Sequence, residues 1–161
     1  MIAAAPDAAA APLTLVVRRT VRASAARLFE AWTDPGQLRR WWGPPEVACI
    51  GAEIDLKVGG HHRIGNAFAD GSVLWISGAF ERIEPPRLLV YTWCVEPAGA
   101  GLERVTIRFD EKDGATDICV IHERIADPAV RASHERGWNG CLDGLAAYAA
   151  GTPKSRQTLP K

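Results

Sequence analysis

The sequence predicts an α+β fold: a curved antiparallel sheet of seven strands, two short helices after the first strand, and one long C-terminal helix. Three observations predict it. Six successive segments between Val47 and Glu123 carry the strand pattern of apolar and polar residues, each bounded by a turn signal. Their connections are short, which makes neighbours antiparallel rather than crossover-linked. A single stretch after Asp127 repeats at the helical period, and it is the element available to cover the apolar face of the sheet.

Each element has a local cause. Leu13 to Val21 is β-branched and partly alternating, and reads as the first strand. Ser24 then offers an N-cap hydroxyl, with Leu28, Phe29 and Trp32 at helical spacing up to Asp34-Pro35. Gln37 to Trp42 adds another turn or two before Gly43-Pro44-Pro45 stops it. Strands are predicted at Val47 to Leu56, His61 to Phe68, Ser72 to Ile83, Leu88 to Val95, Val105 to Asp110 and Ala115 to Glu123. Gly59-Gly60, Asp70-Gly71, Pro85-Pro86, Gly99-Ala100-Gly101 and Asp113-Gly114 mark the turns between them. The last helix runs from Asp127-Pro128 to about Ala150, with Val130, His134, Trp138, Cys141, Leu142, Leu145 and Tyr148 on one face. Gly137, Gly140 and Gly144 lie inside it, and their cost in helix propensity implies a close backbone approach to the sheet. A sheet this long curls, and one helix across the concavity leaves space for a cavity.

A chain of 161 residues is expected to form one domain over residues 13–150, flanked by flexible tails at 1–12 and 151–161 where Ala, Pro and few large side chains occur. Lys+Arg 19 against Asp+Glu 19 removes the basic excess of nucleic-acid binders, and no apolar run reaches the length of a membrane helix. Nucleic acid and membrane are therefore not expected partners. Cys49, Cys94, Cys119 and Cys141 are far apart with no C-x-x-C, so they read as buried reduced thiols rather than zinc ligands. The N-terminus has no basic region ahead of its alanines, so a cytoplasmic location is expected.

Four motifs resemble one family. They are Ala31-Trp32-Thr33-Asp34-Pro35-Gly36-Gln37-Leu38-Arg39-Arg40-Trp41-Trp42-Gly43-Pro44, Asp55-Leu56-Lys57-Val58-Gly59-Gly60, Glu84-Pro85-Pro86-Arg87-Leu88 with Tyr91-Thr92-Trp93, and Gly137-Trp138 before Leu142 and Leu145. In this order, over Leu13 to Ala150, the chain resembles the activator of heat shock protein 90 ATPase homologue-like family of the SRPBCC or START-like superfamily. The resemblance implies the helix-grip fold, with the sheet wrapped around the C-terminal helix and an interior cavity. It also implies binding of a small apolar molecule, a chaperone co-factor role associated with the stress response, or occasional cyclase or hydrolase chemistry.

Strand parity sorts the candidate residues. His61 and His62 are neighbours on a strand and point to opposite faces, so the pair cannot chelate one ion. His62 shares parity with Ile64, Asn66 and Phe68, which places His62 and Asn66 as polar groups in an apolar inner wall. They are either satisfied core groups or ligand contacts. His122 ends the alternation Thr116, Ile118, Val120 and looks toward the helix, while Glu123 points away and cannot orient it. If His62 and His122 meet across the cavity, an imidazole there is a candidate general base. Glu53 and Asp55 read as solvated, with Ile54 and Leu56 facing inward, and Arg39-Arg40 as a solvated helix face. Trp41 and Trp42 lie at the expected cavity rim, one ring packing and the other covering the opening. Tyr91 and Trp93 share a strand face, and Trp138 projects from the helix toward Trp93 or Val120. The candidate ligand contacts are therefore Trp42, His62, Asn66 and Tyr91, with Trp93, His122, Trp138 and Leu142. The expected ligand is a small apolar or aromatic molecule; no catalytic residue, metal or cofactor is assigned.

Overall fold

The computed structural model describes residues 11–96 and 102–152, so the tails and the Gly99-Ala100-Gly101 turn lie largely outside the described residues. The elements are β1 (Leu13–Val21), α1 (Ala25–Thr33), α2 (Pro35–Trp41), β2 (Val47–Ile54), β3 (His61–Phe68), β4 (Val73–Glu84), β5 (Leu88–Val95), β6 (Glu103–Lys112), β7 (Ala115–Ile125) and α3 (Pro128–Ala149). They form one sheet in the order β1-β7-β6-β5-β4-β3-β2, with every pairing antiparallel. The first two strands are thus the two edges, and α1 and α2 carry the chain from one edge to the other. Register shifts at Leu13/Leu15, Cys49/Gly51 and Phe80/Arg82 mark bulges that bend the strands.

The helices begin where side chains satisfy their first amides. Ser24 Oγ accepts from the Arg27 N–H at 3.1 Å, Asp34 Oδ1 from Gly36 at 2.9 Å, and Asp127 Oδ1 from Val130 at 3.0 Å. Pro35 and Pro128 each occupy the first turn, where no amide hydrogen is required.

The concave face is not filled evenly, and this positions the site. α3 packs chiefly on β1, then on α2 and β7, while α1 lies against β6. Between them Leu15, Leu28, Ile107, Phe109, Ile118, Val120, Leu142 and Leu145 are buried, and Trp32 stacks on Trp138 at 6.1 Å between ring centroids. α2 lies against β2, and the inner faces of β3 to β5 receive less cover from the helices.

The glycines of α3 divide by function. A Cβ at Gly144 meets the Trp41 carbonyl oxygen at 2.3 Å, and one at Gly140 meets Pro44 Cβ at 2.5 Å. These two therefore allow close approach, against α2 and the turn after it rather than against the sheet. At Gly137 a Cβ meets nothing within 4 Å, which corrects the expectation of a tight contact there. Leu56 also departs from expectation: β2 ends at Ile54, so alternation no longer directs Leu56 inward, and it is exposed. The four cysteines form no disulfide, but only Cys141 is buried; the other three are half-buried because they lie on strand positions facing away from α3 or at the sheet edge.

Candidate functional site

A cavity of about 480 Å³ occupies the uncovered half of the concave face. Val47 of β2, Asn66 and Phe68 of β3, Leu74 and Ile76 of β4, and Trp93 and Val95 of β5 form its sheet wall. Val130, Ser133, His134, Gly137, Trp138 and Cys141 present the facing stripe of α3, and Trp42 and Pro44 form one end. The exposed side chains of Glu46 and Arg136 stand at the rim. Gly137 lies in the middle of the helical stripe, so the space in front of its Cα belongs to the cavity. A groove of about 690 Å³ lies chiefly on the other face of β3 to β5, beside the Arg63–Glu96 ion pair, and its lining also takes in His62. Its lining residues Arg63, Ser77 and Cys94 alternate with those that face inward.

The tryptophans of this region are tied down through their indole N–H groups. Trp41 donates to the Ala31 carbonyl at 3.0 Å, Trp42 to Asn66 Oδ1 at 3.1 Å, and Trp138 to His122 Nδ1 at 2.9 Å. Trp93 differs: its buried Nε1 has no hydrogen-bond partner among the described residues.

The bond from Trp138 decides the state of His122. An indole only donates, so His122 Nδ1 must hold a lone pair. The ring is then neutral with its proton on Nε2, which donates to Glu103 Oε1 at 2.6 Å. His134 Nε2 lies 2.8 Å from the same oxygen and donates to it as well, and the two imidazoles stack 4.3 Å apart. These three residues bring ligand-type atoms within 4.8 Å of one another. The contacts are nevertheless hydrogen bonds: tetrahedral zinc at its usual bond lengths separates its ligands by about 3.3 Å and needs a bare Nε2. The Trp138 bond puts the proton on that atom.

Burial drives the His122 pKa below its usual range, and the stacked His134 adds to this, against the pull of Glu103. Burial alone raises the Glu103 carboxyl, but hydrogen bonds from His122 and His134 override it and hold it at about 2. Both shifts make acid destabilising. The stability held by His122 is complete above its unfolded pKa of 6.5 and is lost as pH falls below it; that of Glu103 is lost between 4.5 and about 2. The urea midpoint should therefore decline in two legs, below about pH 6.5 and below about pH 4.5. A midpoint unchanged between pH 7 and pH 5, or a His122 Nδ1–H tautomer in nitrogen-15 NMR, contradicts this network.

Of the candidate ligand contacts, Trp42, Asn66, Trp93 and Trp138 line the cavity. His62, Tyr91, His122 and Leu142 pack outside its lining. His62 gives its Nε2–H to the Thr92 carbonyl at 2.9 Å and rests edge-on to Tyr91, and burial keeps its pKa below the usual range. His62 and His122 do not share the cavity, because Tyr91 contacts the former and Trp93 the latter on adjacent inward positions of β5. Glu123 indeed leaves His122 to another carboxylate, and Glu103 supplies it from β6. Sequence parity puts Glu103 on the face of Val105, and the register that sets Val105 opposite His122 brings the two together. His134 lies one helical turn before Trp138 on the same face.

A curled seven-stranded antiparallel sheet holding a C-terminal helix is the START-like helix-grip class. A family model, the activator of Hsp90 ATPase homolog 1-like proteins, matches residues 22–150, and the chain belongs to this family. Solved structures share the fold. A protein of Chromobacterium violaceum is 28% identical with a TM-score of 0.78, covering 84% of this chain and 96% of that one. The AHSA1 protein of Silicibacter pomeroyi is 24% identical with a TM-score of 0.76, covering 86% and 98%. CalU16 of Micromonospora echinospora is 26% identical with a TM-score of 0.65, covering 85% and 76%. Among curated proteins no match is found. No helix among the described residues is long and apolar enough to cross a membrane.

Proposed function

We propose that this domain binds one small, largely apolar molecule between β2–β5 and α3. The observation that carries the reading is the cavity itself: about 480 Å³, walled by Trp42, Ile76, Trp93 and Trp138 and left open on the helix side by Gly137. That volume lies in the usual range for small-molecule sites, and the predominantly apolar wall favours a ring system over a charged metabolite. Binding rather than catalysis fits the histidines. His62 and His122 spend their Nε2 protons on Thr92 and Glu103, and His122 spends its lone pair on Trp138. The thiol state of the cysteines fits a reducing compartment, which we take to be the cytoplasm.

The test is a calorimetric titration with tetralin, a bicyclic hydrocarbon. Saturable binding of one molecule per chain is expected, with Kd between about 10 µM and 1 mM. Absence of saturable binding overturns the reading. The family description also suggests a chaperone role; stimulation of Hsp90 ATPase without tetralin binding favours that alternative.

A further inference from the structure

We infer that the ligand of this cavity carries a ring hydroxyl, which donates its hydrogen to Nδ1 of His134. This rests on the cavity being a binding site and names the chemistry of what it takes. His134 lies in the cavity wall, between Val130 and Trp138 along α3. Its Nε2 is 2.8 Å from Glu103 Oε1, and a carboxylate only accepts, so the ring proton sits on Nε2. The lone pair of the neutral imidazole is therefore on Nδ1. That atom has no hydrogen-bond partner among the described residues. It is also open. The one buried side-chain polar atom left without a partner among those residues is Trp93 Nε1, so the unpartnered Nδ1 of His134 keeps accessible surface, on a side chain that is 14% exposed. His122 covers one face of the ring and Glu103 its Nε2 side, and the open remainder belongs to the cavity wall.

The other lining side chains do not compete for this role. Asn66 Oδ1 accepts from Trp42, and Cys141 Sγ from the Gly43 N–H. The indoles of Trp42, Trp93 and Trp138 only donate. Ser133 and Glu46 are exposed. His134 Nδ1 is thus the unspent side-chain acceptor in the covered part of a largely apolar wall, and a complementary molecule brings a donor. Its charge is selected as well. The Glu103 carboxyl, held at about 2 and therefore ionised, stands behind the imidazole and repels a carboxylate or a phenolate. An ammonium donor would give up its hydration for a single acceptor in apolar surroundings. A neutral hydroxyl on a ring meets both conditions.

The experiment compares tetralin with the two tetrahydronaphthols that are tetralin with one hydroxyl on the aromatic ring, and with their methyl ethers. In the wild type the better of the two phenols should bind about 3- to 10-fold more tightly than tetralin. Its methyl ether, which has no hydrogen to give, should lose that preference. In His134→Phe the preference should disappear. Nitrogen-15 NMR of the wild type gives a readout that does not depend on the variant folding: the free protein should show His134 as the Nε2–H tautomer, and its Nδ1 resonance should move upfield on adding the phenol but not tetralin. A His134 Nδ1–H tautomer, an unmoved Nδ1 resonance, equal affinities in the wild type, an ether that binds as well as its phenol, or a preference that survives in His134→Phe each overturns the inference while tetralin binding stands. Failure of all these molecules to bind the wild type overturns the binding reading itself.

Discussion

Trp138→Ala is expected to destabilise the domain by about 3 to 5 kcal/mol, the range for removing a packed aromatic side chain. The indole is 2% exposed and touches Trp32, Trp42 and Trp93, so its removal opens a void that these rings cannot all close. Its N–H also fixes the lone pair of the fully buried His122. Losing that donor orphans an acceptor inside the core and frees His122 to change tautomer. Trp138→Phe separates the two effects: it keeps most of the packing, should cost about 1 to 3 kcal/mol, and should release the tautomer. Urea unfolding measures both. A loss below about 0.5 kcal/mol for Trp138→Ala, as found at exposed positions, contradicts the core described here.

Gly137→Met should weaken tetralin binding at least about tenfold, since a side chain there enters the cavity, where a Cβ meets nothing within 4 Å. The same substitution should leave the fold intact, because Met has higher helix propensity than Gly and no neighbour to strike. Gly137→Ala is the control: stability should rise by about 0.5 to 1 kcal/mol with binding nearly unchanged. Calorimetry and thermal unfolding on the pair check this. Full tetralin affinity in Gly137→Met places the ligand elsewhere.

Much of this fold follows from local pattern, because both a strand face and a helix face are written at fixed periods. Alternation places His62, Ile64 and Asn66 on the inner wall, and helical spacing places Trp138, Cys141, Leu142 and Leu145 on the buried stripe of α3. Long-range pairing is where pattern stops. Starting β6 at Val105 leaves out Glu103, so the carboxylate that binds both His122 and His134 drops from view, although parity places it on their side. The three glycines of α3 look alike in sequence. Only the position of α2 and the Pro44 turn distinguishes Gly140 and Gly144, which make room for backbone, from Gly137, which makes room for a cavity. Likewise nothing in the order Tyr91-Thr92-Trp93 tells that the indole lacks an acceptor. That is a property of every neighbour at once.

The most direct test is a crystal structure of the protein with tetralin. Density for the bicyclic ring is predicted between Trp42, Trp93 and the open side of Gly137. Density confined to the outer groove beside Arg63 and Glu96, or a concave face closed by rearranged side chains with no ligand inside, contradicts the account.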